Sequence, residues 1–363
     1  MHYAENDLKE IYMRATVYHG LKSVSVDEVP DPVIENPTDV IVKVTKGAIC
    51  GSDLHIYRGH FPLNDGDTVG HEFVGRIEEV GSAVTSLKKG DKVIGPFWVS
   101  CGDCHYCKKG LQTSCLHGGC FGFGDLLGGY PGCQAEYVKV SHADGTLVKP
   151  PESLSDDSQD EKTLFLGDNI CTGYHGAKNG NIQPGDVVVI YGDGTVGLFA
   201  TYAATLFDPA HVITIGHHDY RLDIAKKYGA TTVINSHNQD PKEVIGELSG
   251  GLGANVVIEC VGNTDSLQSS LEMSRPGGTI SITGLFWEPF PLNMTDFFLR
   301  NLNLKGGVAP SRCYIPELMP HVEDGRLDPT HVISHRLPLD ECPRGYELMD
   351  QRIDNAIKVV IEP

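Results

Sequence analysis

The sequence predicts an α/β fold in which a mainly β region precedes a doubly wound parallel sheet. Short strand-like runs, separated by glycine and proline turns, fill about residues 13–165, which is typical of an all-β region. From about residue 184 continuous apolar strands alternate with helical patterns, and this indicates a parallel sheet covered by helices on both faces. Because 363 residues exceed what one hydrophobic core usually organises, we expect two domains.

Charge and cysteine content narrow the class of protein. Lys and Arg number 29 against 48 Asp and Glu, a formal net charge of −19, which argues against a nucleic-acid or anionic-membrane partner because phosphate binding needs clustered cations. No run of eighteen apolar residues occurs, so no membrane span is expected. Residues 1–12 form a polar extension that lacks the pattern of a secretory signal. We therefore expect a cytoplasmic protein, and among its eleven cysteines the four that are closely spaced indicate metal binding rather than cross-linking.

The order of the patterns predicts how the chain divides. Residues 13–166 form a mainly β domain, with strands such as 39–44 and 72–81. Residues 167–308 form the doubly wound domain. Residues 309–363 end in the strand-like AIKVVIEP and are expected to pack back on the first region. The doubly wound domain is then an insertion into the first domain.

A glycine-rich turn opens the first helix of the doubly wound domain. Gly192, Gly194 and Gly197 fit the pattern G-x-G-x-x-G, with Thr195 and Val196 between them, directly after the apolar strand at 186–192. Such a turn lets the chain approach a pyrophosphate at the N-terminus of the following helix. Further strands are expected at 211–215, 232–234, 255–260, 278–283 and 302–307, with helices at 194–207 and 221–230. This context favours dinucleotide binding over a bare glycine turn.

The end of the second strand predicts which dinucleotide binds. An NAD site normally places Asp or Glu there, on the ribose hydroxyls. This chain has Gly216 at that position, followed by His217, His218 and Arg221 as possible cationic donors. Asp219 is the competing acid, although it also suits the start of the next helix. The histidines are alternatively solvated loop residues. The pattern predicts NADP over NAD.

Four closely spaced cysteines predict a metal site within residues 98–118. They follow the spacing C-x2-C-x2-C-x7-C and are Cys101, Cys104, Cys107 and Cys115. Four thiolates can surround one Zn²⁺ and leave no open position, which makes the site structural. An iron–sulfur cluster and disulfides are the alternatives, but the spacing fits neither common ferredoxin run. Cys120 and Cys133 lie outside the lobe and are predicted to be ordinary buried or loop cysteines.

A second group of metal-binding residue types follows the strand at 39–44. Cys50, Ser52 and His55 lie in CGSDLH, and His71 and Glu72 follow about twenty residues later. A thiolate and an imidazole suit Zn²⁺, and a site with an open position acts as a Lewis acid. A serine and a histidine at this spacing are alternatively plain turn residues.

Taken in order, these motifs resemble one family. GAICGSDLHIYRG, VGHEFVGRIEEVG, the four-cysteine lobe, TGYHGA and YGDGTVG are similar to those of the zinc-dependent medium-chain alcohol dehydrogenases. The resemblance implies a GroES-like catalytic domain, a Rossmann cofactor domain, two zinc ions per chain, and a homodimer or homotetramer. It also implies hydride transfer between an alcohol, or the corresponding carbonyl, and NADP(H), with NAD(H) as the alternative.

The resemblance assigns roles residue by residue. Cys50 and His71 resemble the first two catalytic zinc ligands, and Glu72 the neighbouring glutamate that can approach the metal. Ser52 resembles the hydroxyl that hydrogen-bonds the alkoxide, and His55 the histidine that passes its proton onward. Three further residues, expected to face the cofactor, are Thr172, Val261 and Gly284.

The resemblance places the third ligand of the catalytic zinc in the stretch GDNICTGYHG. Relatives with a cysteine ligand place it four residues before the Thr-Gly step, and here that position is Asp168, whereas Cys171 directly precedes Thr172. Asp168 therefore resembles the carboxylate ligand of the bacterial NADP-dependent secondary-alcohol dehydrogenases. Those relatives also carry a glycine at the end of the second strand, but they generally lack the structural zinc lobe.

A pocket for a small to medium apolar alcohol, aldehyde or ketone is expected to be lined by residues near Ser52, the loop at 122–132, Phe286 and Trp287, and part of 259–262. Polyol, sugar and threonine dehydrogenases share the architecture and are the alternative, with NAD as a possible cofactor. More distant rivals are a non-catalytic cofactor-binding protein and a zinc-free quinone-type reductase, neither of which needs the ligands described above.

Overall fold

The computed structural model describes residues 12–363. The predicted polar extension lies outside the described residues except for Tyr12, which opens the first strand. The strands are β1 Tyr12–Gly20, β2 Ser23–Pro30, β3 Val40–Ile49, β4 Glu72–Val80, β5 Lys92–Gly95, β6 Trp98–Val99, β7 Gly119–Cys120, β8 Tyr137–Val140, β9 Val187–Tyr191, β10 His211–Gly216, β11 Thr232–Asn235, β12 Ala254–Glu259, β13 Ser274–Ile282, β14 Asn303–Gly306, β15 Ile333–Pro338 and β16 Lys358–Glu362.

Helices are concentrated in the second half of the chain. They are α1 Asp53–Tyr57, α2 Ala143–Thr146, α3 Asp160–Leu164, α4 Asn169–Gly180, α5 Thr195–Thr205, α6 Asp219–Lys227, α7 Pro241–Leu248, α8 Thr264–Met273, α9 Met294–Leu299, α10 Ser311–Glu323 and α11 Cys342–Gln351. Within residues 12–363, none of these helices has the length and apolar character needed to cross a bilayer.

The mainly β part is built around one mixed sheet. Its strands run in the order β15-β16-β3-β4-β5, with β8 also paired to β3. Along β3 the side chains of Val40, Val42 and Val44 are buried while Lys43 is exposed, which is the alternation of a strand with one face on a core. The last strand, β16, pairs antiparallel with β3 and sets Val359 opposite Ile49. The end of the chain thus lies beside the strand that leads to Cys50.

The second sheet has six strands that are all parallel, in the order β11-β10-β9-β12-β13-β14. Val188, Val189 and Ile190 of its first strand are completely buried, because helices cover both faces of a parallel sheet. The predicted α/β fold with a doubly wound sheet is therefore confirmed. The strand order reverses between β10 and β12, on either side of β9, and ligands of such sheets bind at the carboxyl ends of the strands at this point.

One strand runs further than predicted, and this positions the site. β3 continues five residues past the predicted end at residue 44 and stops at Ile49. It continues because it pairs with β4 on one side up to Ala48 and with β16 on the other, so that strand pairing compensates for the small residues Gly47 and Ala48. Cys50 therefore follows directly from a strand held on both sides.

The segment before α4 is anchored in the core. Leu164, Phe165 and Leu166 are fully buried in a cluster that also contains Phe199 of α5. Helices α4 and α5 then pack very closely, since a Cβ added at Gly173 would lie 2.5 Å from a backbone nitrogen of α5. This packing fixes the start of α4, where Asp168 precedes the first helical residue.

Candidate functional site

Four ionisable side chains from three segments meet between the two sheets. Cys50 follows β3, His71 and Glu72 stand at the start of β4, and Asp168 precedes α4. One ligand atom from each lies within 4.8 Å of those of the others, and all four residues are buried. The carboxylate Oδ2 of Asp168 lies 3.4 Å from Nε2 of His71 and 3.5 Å from Sγ of Cys50.

The chemistry of this donor set fits a zinc ion. A thiol, an imidazole and a carboxylate are zinc's usual protein ligands. Burial raises the pKa of the Cys50 thiol and of the Glu72 carboxyl, because a charged form without a cation is costly in a dry interior. Within residues 12–363, Oε2 of Glu72 is buried without a hydrogen-bond partner. A bound cation would satisfy both requirements, so the cluster is a candidate catalytic zinc site.

Glu72 is engaged by a buried lysine that sequence reasoning missed. Lys358 of β16 is 1% exposed, and its Nζ donates to Oε1 of Glu72 at 2.5 Å. Asn169 Nδ2 donates to the same oxygen at 3.1 Å. Glu72 is thus held from two sides, which leaves Cys50, His71 and Asp168 as the stronger ligand candidates. The signal in the sequence was a lysine inside the apolar strand IKVVI.

The orientation of His71 depends on Asp53, another residue to which the sequence analysis assigns no role. Oδ1 of Asp53 lies 3.0 Å from Nδ1 of His71, and this leaves Nε2 directed at the cluster. Oδ2 of Asp53 accepts hydrogen bonds from the backbone N–H of Cys50 at 2.9 Å and from Gln134 Nε2 at 3.2 Å. A carboxylate behind a histidine ligand is the usual arrangement that fixes its tautomer and ring orientation.

Asp168 and Cys171 occupy different surroundings. Oδ1 of Asp168 accepts a hydrogen bond from Thr172 Oγ1 at 2.9 Å, while its other oxygen faces the cluster. The thiol of Cys171 is fully buried and points to the carbonyl oxygen of Leu166 at 3.0 Å. The structure therefore places Asp168 in the cluster and Cys171 in the hydrophobic core, as the register against the Thr-Gly step predicts.

The four-cysteine lobe forms a second candidate zinc site. Its Sγ atoms all lie within 4.8 Å of one another, with 4.0 Å between Cys101 and Cys107 and 3.9 Å between Cys104 and Cys115. A tetrahedron with Zn–S bonds of about 2.3 Å has edges of about 3.8 Å. The backbone N–H of Cys101 donates to Cys115 Sγ at 3.3 Å. All eleven cysteines of the chain are free, and the two Sγ–Sγ distances in the lobe are well above the ~2.05 Å of a disulfide bond.

The two cysteines next to the lobe are both buried, Cys120 with 4% and Cys133 with 0% of their surface exposed. Neither belongs to the zinc candidates among the described residues. Burial raises the pKa of Cys120 to about 12, which agrees with an unreactive thiol. Cys120 nevertheless lines the cavity described next.

A single cavity of 940 Å³ joins the catalytic candidate to the glycine-rich turn. Ser52 and His55 line it beside the cluster, together with apolar side chains such as Phe123, Leu127 and Met349. Residues predicted to face a cofactor that also line it are Thr172, Gly192, Gly194, Thr195, Val196, Gly216, His217, His218, Arg221, Val261 and Gly284. The structure thus brings the predicted catalytic and cofactor residues to one space.

The three glycines of the turn serve different purposes. Gly192 has a φ of +123°, a conformation that favours glycine. A Cβ at Gly197 would lie 2.0 Å from the carbonyl oxygen of Gly192, so this glycine allows α5 to pack against β9. A Cβ at Gly194 would meet nothing within 4 Å, and Gly194 faces the cavity. An open position at the start of a helix is where a pyrophosphate approaches the backbone.

The end of β10 differs from the sequence expectation. Gly216 does stand there, but the carboxylate of Asp193, from the glycine-rich turn, fills the space above it, since a Cβ at Gly216 would lie 2.5 Å from the Asp193 side chain. The backbone N–H groups of His217 and His218 donate to Oδ2 of Asp193 at 2.9 and 3.0 Å. The premise of the NADP prediction, that no carboxylate lies at this strand end, is therefore wrong. Asp219 instead opens α6.

The prediction of which residues line the substrate pocket is only partly correct. Phe123 and Leu127 of the 122–132 loop line the cavity. Phe286 instead packs against the cluster of Leu267, Leu271, Ile280 and Leu302 beside the parallel sheet, whereas its neighbour Leu285 lines the cavity. Trp287 packs on the ring of His55 at 5.2 Å between centroids.

Known proteins match this chain over nearly its whole length. Residues 36–152 match the alcohol dehydrogenase GroES-like domain and residues 195–324 the zinc-binding dehydrogenase family. A zinc-type alcohol dehydrogenase-like protein of Bacillus subtilis, AdhB, is 40% identical, covering 97% of this chain and 100% of its own. The alcohol dehydrogenase of Thermus sp. ATN1 is 38% identical with a TM-score of 0.90, covering 96% of this chain and 99% of its own. A zinc-binding dehydrogenase of Sinorhizobium meliloti 1021, solved with NADP, is 28% identical with a TM-score of 0.83. The match covers 98% of this chain and 100% of that one.

Zinc content should separate the two candidate sites. We expect about two zinc ions per purified chain, because each donor set suits one ion. Cys50→Ala should reduce the content to about one, since the lobe keeps its four thiolates. Inductively coupled plasma mass spectrometry on the folded protein measures this directly. A Cys50→Ala protein that retains two zinc ions would contradict the catalytic site.

A matched pair of variants tests the third ligand. Asp168→Ala should lose about one zinc ion per chain because it removes a cluster oxygen. Cys171→Ser should keep both ions, since a hydroxyl can still donate to the Leu166 carbonyl oxygen and the residue lies outside the cluster. The reverse result, with zinc lost only in Cys171→Ser, would overturn the assignment. Circular dichroism of both variants checks that each is folded.

Proposed function

This chain belongs to the zinc-binding medium-chain alcohol dehydrogenase family, oxidoreductases that act on CH–OH groups, and from that premise we propose how its own residues carry out the reaction. The proposed reaction transfers hydride between an alcohol, or the corresponding aldehyde or ketone, and a nicotinamide dinucleotide. One observation supports it most: the metal-ligand cluster and the glycine-rich turn open into the same cavity. The rival of a non-catalytic protein finds no support in a site with this full donor set.

The metal would be held by Cys50, His71 and Asp168, with Glu72 held back by Lys358. A zinc ion bound there supplies Lewis acidity that lowers the pKa of a substrate hydroxyl. Asp53 keeps Nε2 of His71 directed at the metal position. Asn169 and Thr172 hold the two Asp168 oxygens at 2.9 Å each. The surrounding side chains thus preorganise the ligand geometry before a substrate arrives.

Ser52 is proposed to receive the substrate proton. Its Oγ lies 3.2 Å from Nε2 of His71, at the edge of the cluster and on the cavity wall. A substrate hydroxyl beside the metal would therefore be within hydrogen-bond reach of this oxygen. The serine donates its own proton onward as it accepts the new one.

His55 is proposed as the next proton carrier. Burial, with His60 and Arg58 nearby, lowers the pKa of His55 to about 4, so its imidazole is neutral near pH 7 and can accept a proton without holding it. Its Nδ1 lies 3.3 Å from Nδ1 of the exposed His60. Solvent is thus reached within one further transfer. The proposed route would lead from Ser52 through His55 and His60 to solvent.

The proposed substrate is a small to medium apolar alcohol or carbonyl compound. The cavity near the cluster is lined by large apolar side chains, among them Phe97, Trp98, Phe123, Leu127 and Met349. Such a lining favours hydrocarbon groups over polyols, whose hydroxyls each need a partner when buried. We propose the polyol, sugar and threonine-type reactions only as the alternative that the substrate panel below tests.

Assembly and location are further proposals. A homo-oligomer, a dimer or tetramer, is supported by the edge strand β14, whose four residues are exposed. Next to it in the chain, α9 exposes Met294, Phe298 and Leu299. Exposed apolar groups beside an unpaired strand edge suit contact with a second copy. A cytoplasmic location is supported by eleven cysteines without a disulfide.

A panel of substrates assayed with both dinucleotides tests the proposed activity. Primary and secondary aliphatic alcohols should be oxidised with a higher kcat/KM than sorbitol or threonine, because the cavity offers them apolar contacts. Absorbance of the reduced nicotinamide at 340 nm measures the rate. Turnover restricted to polyols or amino alcohols would contradict the proposed substrate class.

Ser52→Ala should lower kcat by about 100-fold or more, since general acid–base groups contribute about 10²–10⁴-fold. Zinc content and cofactor affinity should stay unchanged, because Ser52 is not a proposed ligand of either. Ser52→Thr, which keeps a hydroxyl, should retain much more activity than Ser52→Ala. Equal loss in both variants would argue against the proton-transfer role.

A further inference from the structure

We propose that Asp193, the residue between the first two glycines of the turn, makes this enzyme select NAD(H) over NADP(H). In this proposal the Asp193 carboxylate accepts a hydrogen bond from the adenosine ribose and repels a 2′-phosphate. The inference rests on the proposed function only in that it assumes a dinucleotide in the cavity. It reverses the cofactor preference that the strand-end glycine predicts.

Asp193 occupies the place of a strand-end acid. In NAD sites of this fold the acid normally stands at the end of the second strand, which here is Gly216. The atoms nearest to a Cβ built on Gly216 are Cβ and Oδ2 of Asp193, both at 2.5 Å. The glycine therefore leaves room for an acid that comes from the neighbouring turn. Both residues line the cavity.

The carboxylate is held in one orientation and is charged. Its Oδ2 accepts the backbone N–H groups of His217 and His218 and lies 3.1 Å from Nδ1 of His218. Burial by itself would raise the pKa of Asp193, but the His217 N–H, Arg221 and His218 more than offset this and lower it. Three partners on one oxygen fix the side chain without a ligand.

The other oxygen is available to a ligand. Oδ1 of Asp193 has the guanidinium NH1 of Arg221 at 3.7 Å, and no hydrogen bond to Oδ1 is found within residues 12–363. An anionic acceptor with a free lone pair suits a ribose hydroxyl. A 2′-phosphate at the same place would bring two anions together in a partly desolvated pocket, which is strongly unfavourable.

Arg221 and His217, two cationic candidates for a 2′-phosphate, already have partners in the protein. Arg221 NH2 donates to the carbonyl oxygen of Ala356 at 2.6 Å, and its Nε donates to Tyr220 Oη at 2.9 Å. Burial is the main cause that lowers the pKa of His217, whose Nδ1 lies 3.0 Å from Ser236 Oγ. Arg352 is exposed on the same cavity and is the competing phosphate partner.

Cofactor titrations without substrate test the proposal. Kd values of NADH and NADPH are measured by nicotinamide fluorescence on the full chain and on Asp193→Asn, which keeps the shape and removes the charge. The wild-type protein should bind NADH at least 10-fold more tightly. Asp193→Asn should bind NADH about 10- to 100-fold more weakly, as expected for loss of a hydrogen bond to a charged group, and should bind NADPH more tightly than the wild type.

The matched control is Asp219→Asn. Asp219 is also an acid near the end of β10, but its Oδ1 accepts from Asn235 Nδ2 at 2.7 Å and it lies outside the residues that line the cavity. The ratio of the two Kd values should stay within about twofold of the wild-type ratio. A merely structural role of Asp193 would weaken both cofactors together and would not improve NADPH binding.

A double variant supplies the rescue. Asp193→Ala removes the acid and frees the space above Gly216, and Gly216→Asp in that background returns a carboxylate to the usual strand-end position. NADH preference should be lost in the single variant and restored in the double variant. Tighter NADPH binding by the wild type or an unchanged Kd ratio in Asp193→Asn would overturn the proposal.

The two proposals fail in different ways. If the protein prefers NADH but oxidises no alcohol with either dinucleotide, the proposed activity fails and the role of Asp193 stands. If alcohols are oxidised with NADP(H) preferred, the role of Asp193 fails and the proposed activity stands. Binding without substrate and turnover with substrate therefore give separate answers.

Discussion

The structure depends on how a cluster of acidic ligands is kept stable in a dry interior. Cys50, Glu72 and Asp168 are buried together, and Lys358 is the buried cation that faces them. Removing several anions from water is costly unless cations and hydrogen bonds compensate. Lys358 and Asn169 provide part of this compensation at Glu72, Asp53 orients His71, and the remaining deficit is what a divalent metal would satisfy. Strands β4 and β16, which lie on either side of β3 in the mixed sheet, are thus joined by the ion pair between Glu72 and Lys358.

The metal-ligand cluster is connected to the second sheet through helix α4. Asp168 ends a fully buried segment and directly precedes α4, whose Thr172 lies one turn further along the same helix. The close packing of α4 on α5 at Gly173 relates the metal cluster to the glycine-rich turn that opens α5. The cavity between them therefore has a rigid wall on which the alcohol carbon and the nicotinamide can be brought together. A shift of either helix would separate the two halves of the chemistry.

Local features were readable from the sequence. The four-cysteine spacing, the G-x-G-x-x-G turn and the runs of buried apolar strands are each contained in a short stretch, and each predicts its structure through local geometry. The resemblance to relatives that place a cysteine ligand four residues before the Thr-Gly step favoured Asp168 over Cys171 as the third ligand. By contrast, Lys358, Asp53 and Asp193 act through partners that are distant in sequence or lie on another element. Lys358 is 286 residues from Glu72, and no spacing rule links them.

Sequence patterns were therefore enough to predict the fold class, the four cysteines of the lobe, the metal-binding residue types at Cys50 and His71, and the presence of a dinucleotide turn. These follow from periodicity and from ligand types at fixed offsets, which survive without knowledge of the folded chain. Which charges stand next to one another became known only from the folded chain. In the sequence, Gly216 at the end of β10 indicates that the usual acid is absent. In the folded chain, however, the side chain of Asp193 occupies that space. Electrostatics falls off over a few ångströms in space, not over positions in the chain, so the cofactor preference could be argued only after folding had set those distances.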